Sequence, residues 1–280
     1  MRVSVSMYSL NPTIKKENWS VLDFLEYAKR ISSDGVELLD MYWRNKDDKF
    51  KEIKQVKAAL KEHNLAVSAY DITNNFVKQS SEERMEEVEK VKEGIKVAKQ
   101  LGTNIIRVFA GDLRNGITYQ SGKEWIVDCL KQCAVIAEEK EIYLAIENHG
   151  LLAGKSEQIE EIIERVNSSY VKATFDTGNF LLVNEMPREA FDRLKEKIVH
   201  VHFKDFREKH PNESVKGFQS TEGVGLIGTI PGDGQVDLSY IVDGLKGVHY
   251  DGWLSIEYEG IEDAKHATTE AVNRLMTLVN

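Results

Sequence analysis

Along the chain, short runs in which apolar and polar residues alternate are separated by longer stretches in which apolar residues recur every three or four positions. The first pattern belongs to strands, whose side chains point to opposite faces in turn, and the second to helices with one buried face. Strands are predicted over Arg2 to Tyr8, Gly35 to Tyr42, Ala66 to Ile72, Asn104 to Ala110, Ile142 to Asn148, Val171 to Asp176, Ile198 to Lys204 and Trp253 to Tyr258. Helices are predicted over Val21 to Ile31, Asp48 to His63, Ser81 to Leu101, Lys123 to Glu139, Glu157 to Val166, Arg188 to Glu196, Leu238 to Leu245 and Glu262 to Leu278. Val21, Phe24, Leu25, Ala28 and Ile31 form one apolar stripe behind a Ser20 and Asp23 capping pair, while Ser80 with Glu83 starts the helix that Gly102 stops. Strict alternation of eight strands with eight helices predicts an α/β fold, a single (β/α)8 TIM barrel over residues 1–280, rather than an open sheet.

The longest connection, Phe206 to Val236, follows the seventh strand and ends in "TEGVGLIGTIPGDG". Long connections in compact domains tend to be functional, so it reads as a lid over the barrel mouth, with an idle surface excursion as the alternative. Its glycines could cradle a phosphate through backbone N–H groups, but Asp233 in their midst would repel one.

Strand parity locates the candidate chemistry. In strand five Leu144 and Ile146 face the helices, and Ala145, Glu147 and His149 face the axis; in strand six Ala173 and Phe175 face out, and Thr174 and Asp176 face in. Strand seven turns Val199, Val201 and Phe203 outward and His200, His202 and Lys204 inward, and strand eight turns Ser255, Glu257 and Glu259 inward. A structural barrel would fill such positions with Val, Ile and Leu, and barrel enzymes carry their chemistry at the carboxyl ends of strands. Any one of these residues alone could be a solvated strand end. Three carboxylates in one mouth, however, repel one another unless a cation neutralises them. Glu147, Asp176, His202 and Glu257 therefore predict one divalent metal ion, Mn²⁺ first, with Mg²⁺, Co²⁺ or Zn²⁺ as alternatives. His200, one layer deeper, reads as a hydrogen-bonded support. Arg107, His149, Lys204 and Glu37 read as substrate contacts or as structural pairs around the metal.

Composition narrows the partners. The chain is 41% hydrophobic and 30% charged, enough apolar content for a folded core, and its net charge of −9 disfavours nucleic acid and anionic membranes. The chain holds no apolar run of about 18 residues, and Met1 to Val3 leads straight into a strand pattern, so a cytoplasmic protein acting on a small molecule is expected. A homo-oligomer stays open. Cys129 and Cys133, four apart on a predicted helix with no His nearby, read as core residues and not as a metal or disulfide pair.

The motifs "AIENHG", "FDTGN", "HVHFKD" and "LSIEYEG", in this order at the ends of strands five to eight, resemble those of the xylose isomerase-like barrel superfamily of sugar isomerases and epimerases. The resemblance covers essentially the whole chain. It implies that Glu147, Asp176, His202 and Glu257 bind one divalent ion, the set that parity selects, and that Glu147 and Glu257 also act as acid and base on opposite faces of the substrate. A cation beside a hydroxyl and an adjacent carbonyl would stabilise the enediolate left when a proton departs. Return of that proton to the other face gives an epimer, and to the neighbouring carbon an aldose–ketose isomer. Many ketose 3-epimerases of the family carry a histidine three residues after the metal-binding aspartate, where this chain has Asn179, and a glutamate where it has Ala153. These departures touch substrate recognition, which includes Asn179, and leave the metal set intact. The leading expectation is a metal-dependent isomerase or epimerase of a small keto-sugar. The alternative is a dehydratase of a cyclic keto-polyol such as an inosose; a metal-dependent endonuclease and a non-catalytic sugar-binding barrel rank below both.

Overall fold

The computed structural model describes residues 1–45, 49–112 and 117–279. The chain runs through β1 (Arg2–Ser6), β2 (Gly35–Leu39), β3 (Ala66–Asp71), β4 (Ile105–Phe109), β5 (Tyr143–Glu147), β6 (Val171–Asp176) and β7 (Ile198–Phe203). Three short strands follow, β8 (Asp205–Glu208), β9 (Phe218–Gln219) and β10 (Gly225–Thr229), before the last, β11 (Trp253–Ile256). The closed barrel has the order β1-β11-β7-β6-β5-β4-β3-β2, and all its pairings are parallel. All eight strands predicted from alternation are present, and the helices between them cover the outside.

Local signals act as expected. Ser20 and Asp23 form a reciprocal capping box, Ser80 Oγ accepts from Glu83 N at 3.0 Å, and Gly102 ends its helix at φ 83°. The helix expected from Asp48 is described over Lys49–His63, and Asp48 itself lies outside the described residues. Pattern reading passes over the short helices Asn11–Glu17 and Asn179–Leu182, which hold too few turns to repeat a stripe. Cys129 and Cys133 are buried and free, as expected, and burial pushes their thiols up to about 11 and about 12.

Two departures matter for the site. The parity expected for Val199 is wrong: this residue packs in the barrel lumen with Ala69, Ile105 and Ala145. Its cause is a register shift between β6 and β7, where Ala173 pairs with Ile198 but Thr174 with His200, leaving Val199 as the extra residue. Beyond the bulge the expected parity resumes, so His200 and His202 point inward.

The segment from Phe206 to Val236 is the other departure. Much of it is a small antiparallel sheet, with β10 between β8 and β9, and none of the residues lining the mouth cavity comes from it. The lid expectation is not met. A different arrangement explains the glycines: the buried Asp205 carboxylate accepts backbone N–H bonds from Gly232 at 3.0 Å, Gly234 at 2.9 Å and Val236 at 3.0 Å. An internal carboxylate thus fills the cradle that a phosphate would need. Gly228 sits directly on the Glu259 backbone, where a Cβ would lie 2.0 Å from the carbonyl oxygen. Gly228→Ala must push β10 off the loop after β11, and urea unfolding should show a loss of about 1–3 kcal/mol, the usual cost of overpacking. Unchanged stability would mean that the sheet is not seated against that loop.

Candidate active site

The site grows out of strand ends. Glu147 and Asp176 are the last residues of β5 and β6, His202 is the penultimate residue of β7, and Glu257 immediately follows β11. Because β7 and β6 lie between β11 and β5 in the barrel order, the two glutamates flank Asp176 and His202 from either side. One potential ligand atom from each of the four residues lies within 4.8 Å of the others. All four side chains are buried. His202 Nδ1 stands 3.8 Å from Glu147 Oε1, 3.8 Å from Asp176 Oδ2 and 3.6 Å from Glu257 Oε2.

This set fits a divalent cation. His202 Nδ1 is buried and makes no hydrogen bond, and Asp176 Oδ2 has only the Lys204 ammonium at 3.2 Å, a costly state for buried polar atoms that metal ligation would relieve. Three carboxylates and one imidazole form an oxygen-rich donor set suited to a divalent ion.

Cationic side chains hold the carboxylates together. Lys204 Nζ lies 2.6 Å from Glu257 Oε2, 3.2 Å from Asp176 Oδ2 and 3.2 Å from Glu259 Oε2. Arg107 reaches Glu147 Oε2 through Nε at 3.1 Å, donates from Nη2 to Asp71 Oδ2 at 3.0 Å, and donates from Nη1 to the Ile72 carbonyl. Asn179 donates from Nδ2 to Glu147 Oε1 at 3.1 Å, and its backbone N–H bonds Asp176 Oδ1 at 2.9 Å. Burial works against ionisation of every carboxyl here, but Arg107 and His202 hold Glu147 well below the usual range. Lys204 and His202 do the same for Glu257. Asp176 goes the other way, raised to about 7 by burial and by the neighbouring Glu147 and Glu257, although Lys204 opposes this. Burial lowers His149 and keeps its imidazole neutral near pH 7.

Above the cluster lies a cavity of about 230 Å³ lined by Tyr8, Leu39, Met41, Thr73, Arg107, Phe109, Glu147, His149, Lys204, Glu257 and Glu259. Of the supports expected from sequence, Arg107, His149 and Lys204 line it. Glu37 and Asn179 do not. Asn179 braces Glu147 and Asp176 from the side, and the fully buried Glu37 lies behind His202, 2.9 Å from its Nε2. His200 shares that carboxylate at 2.8 Å, as expected of a supporting histidine.

Sequence reading misses Asp71, Tyr8 and Phe109. Asp71 anchors Arg107, Tyr8 donates to Glu259 Oε1 at 3.1 Å, and the Phe109 ring packs against the Arg107 guanidinium, 3.9 Å from the ring centroid, and against the tilted His149 ring at 4.2 Å. All three lie at or just beyond carboxyl ends of strands. Asp71 shares the parity of the lumen residue Ala69 on β3, so the count applied to strands five to eight would have flagged it had it been carried to that strand.

A family model described as xylose isomerase-like TIM barrel matches residues 25–278. The chain belongs to that family. Among curated relatives, the inosose dehydratase of Lacticaseibacillus casei is 35% identical over 105 residues, which span 36% of this chain and 35% of that protein. The inosose dehydratase of Clostridium botulinum (strain Eklund 17B / Type B) is 26% identical over 223 residues, 75% of this chain and 74% of that one. Among solved structures, the IOLI protein with a zinc atom aligns at a TM-score of 0.78 with 20% identity, covering 100% of this chain and 98% of that one. A D-tagatose 3-epimerase-like protein aligns at 0.76 with 21% identity, covering 100% and 98%. Both structural likenesses are likenesses of fold. Among the described residues, no helix is long and apolar enough to cross a membrane.

Two outcomes follow from this electrostatic arrangement. Adding Mn²⁺ or Zn²⁺ should raise the thermal midpoint, and a chelator should reverse the rise, because an ion bound to the folded state alone stabilises it by mass action. Lys204→Met should destabilise the metal-free protein by about 3–5 kcal/mol, the usual cost of breaking a buried ion pair. The loss should shrink when the cation is present. Equal losses with and without cation would show that the ion and the ammonium do not neutralise the same carboxylates.

Proposed function

We propose that this chain is a divalent-metal-dependent dehydratase acting on a cyclic keto-polyol of the inosose type. The sequence led with an isomerase or epimerase and kept this reaction as its alternative; the match to inosose dehydratases, reaching 75% of the chain in one case, favours the alternative. The reading is carried by one observation: two ionised carboxylates, Glu147 and Glu257, flank a small cavity together with Arg107 and Lys204. A cavity of about 230 Å³ suits one six-membered ring and little more.

Dehydration of a hydroxy ketone begins at the carbon beside the carbonyl. A carboxylate takes the proton from that carbon, the electron pair of the broken C–H bond forms the new C=C bond, and hydroxide leaves from the next carbon. The same carboxyl group can hand its proton to the departing hydroxide, so that water leaves and the base is restored. Glu147 and Glu257 are the groups proposed for this transfer. Each is ionised, borders the cavity and is fixed by a cationic neighbour, Arg107 or Lys204. A divalent ion held by Glu147, Asp176, His202 and Glu257 would supply a Lewis acid that makes the neighbouring C–H bond more acidic. Mn²⁺ is our leading assignment from the oxygen-rich donor set, with zinc next, since the IOLI protein carries it. His149, neutral and packed against Phe109, offers a hydrogen bond to a ring hydroxyl. Phe109 presents an apolar face to the ring's C–H groups.

The second reading, an epimerase, draws on the placement of the two glutamates on either side of Asp176 and His202, which suits proton removal on one face and return on the other.

Incubation of cation-loaded protein with a panel of inososes and ketoses in D₂O separates the readings. Loss of one water by mass, with the ultraviolet absorbance of an unsaturated ketone, is the expected result. Deuterium wash-in without loss of water would select the epimerase, and binding without either would leave a sugar-binding barrel. Glu257→Gln and Glu147→Gln should each lower turnover at saturating cation by about 10²- to 10⁴-fold while keeping part of the metal affinity. A variant that matched wild type there would remove its carboxylate from the mechanism.

A further inference from the structure

Beneath the four proposed ligands lies a second buried cluster that the proposed reaction does not use. Glu37, at the centre of β2, is fully buried, and so are His200, His202 and Ser255. The Glu37 side chain spans the lumen. Its Oε1 receives His200 Nε2 at 2.8 Å and His202 Nε2 at 2.9 Å, and its Oε2 receives Ser255 Oγ at 2.5 Å. Ser255 and His202 are register partners on β11 and β7, so the network joins three barrel strands in one layer.

A carboxylate has only acceptor sites at neutral pH, so each imidazole nitrogen facing Glu37 must carry hydrogen. For His202 this fixes the role of one ring nitrogen. Nε2 is the donor to Glu37, and Nδ1, which has no hydrogen bond, faces Glu147, Asp176 and Glu257. A neutral imidazole with hydrogen on Nε2 has its lone pair on Nδ1, the form that ligates a metal.

We propose that Glu37 is the positioning residue of the metal site, holding His202 with Nε2 as hydrogen donor so that Nδ1 presents its lone pair to the cation. Glu37 thereby makes no contact with substrate. His200 and Ser255 hold Glu37 in turn, since a carboxylate tied at both oxygens from two other strands has a single orientation. Glu37, His200 and His202 also bring potential ligand atoms within 4.8 Å of one another, but both Nε2 atoms are already at hydrogen-bond distance from Glu37 Oε1. The cluster is complete without a second ion.

This inference rests on the proposed set of Glu147, Asp176, His202 and Glu257 as cation ligands, and the test keeps the two claims apart. Zn²⁺ affinity is measured by competition with a chromophoric chelator for wild type, His202→Ala, Glu37→Gln and Glu37→Asp. Nitrogen-15 spectra of histidine-labelled protein report which ring nitrogen carries hydrogen. Wild type should show hydrogen on His202 Nε2 both with and without Zn²⁺. Glu37→Gln, whose amide can turn an N–H toward the ring, should bind Zn²⁺ about 10- to 100-fold more weakly and shift the His202 nitrogen signals. Glu37→Asp, which keeps the carboxylate, should recover part of the affinity. Wild-type affinity in Glu37→Gln with unchanged nitrogen signals would overturn the inference, as would a wild-type spectrum with the His202 hydrogen on Nδ1 in the Zn²⁺ form. If His202→Ala and wild type bound Zn²⁺ alike, the ligand set would fail, and the nitrogen signals of wild type and Glu37→Gln without metal would still decide whether Glu37 orients the ring. Should Glu37→Gln not fold, the wild-type spectrum and Glu37→Asp carry the decision.

Discussion

Everything at the barrel mouth depends on how negative charge is compensated where water is scarce. Glu147, Asp176 and Glu257 converge on His202 with each carboxylate buried. At such separations in a low-dielectric setting, like charges repel by several kcal/mol, so the arrangement persists only with cations among them. Lys204, just past β7, and Arg107 on β4 supply part of that charge, and the orphaned His202 Nδ1 marks where it falls short. The raised Asp176 carboxyl expresses the same deficit: burial and two neighbouring carboxylates make its ionisation the least favourable of the three. A divalent ion removes the deficit, which is why the metal reading follows from electrostatics as well as from residue type.

The barrel makes this concentration of charge tolerable by layering. Lowest in the lumen are Ala69, Ile105, Ala145 and Val199, a small apolar plug. Above it Glu37 gathers His200, His202 and Ser255, and higher still the three carboxylates meet Arg107 and Lys204. His202 belongs to both upper layers, bonded below to Glu37 and facing the carboxylates above, and Arg107, with Asp71 behind it, braces Glu147 in the top layer. Rigidity of this kind is what a catalytic constellation needs, because small displacements of a base or a ligand are expensive in rate.

Much of this was legible in the sequence, for an identifiable reason. Period-two alternation fixes which side chains enter a barrel, so the inward positions of Glu147, Asp176, His202 and Glu257 needed only a count along each strand. The count fails at a bulge, and it failed for Val199; it was not carried to β3, where Asp71 lies. No local signal announces an extra residue in a parallel strand. The role of Phe206 to Val236 was hidden for a different reason: its glycines were visible, but the carboxylate they surround, Asp205, lies at the start of the segment and meets them only in the folded chain.

That segment also ties the rim of the barrel to the charged cluster. The sheet of β8, β9 and β10 leaves the barrel directly after Lys204 and presses through Gly228 on the backbone of Glu259, the residue that shares Lys204 with Glu257. It lines no part of the cavity, yet it touches both ends of the Lys204 to Glu259 pair. Other parts of the cavity wall come from the ends of β1, β2, β4 and β5 and the turns after them, through Tyr8, Met41, Phe109 and His149. Changes at Tyr8 or Met41 would alter the shape of the cavity while Glu147, Asp176, His202 and Glu257, placed by the ends of β5, β6, β7 and β11, keep their geometry.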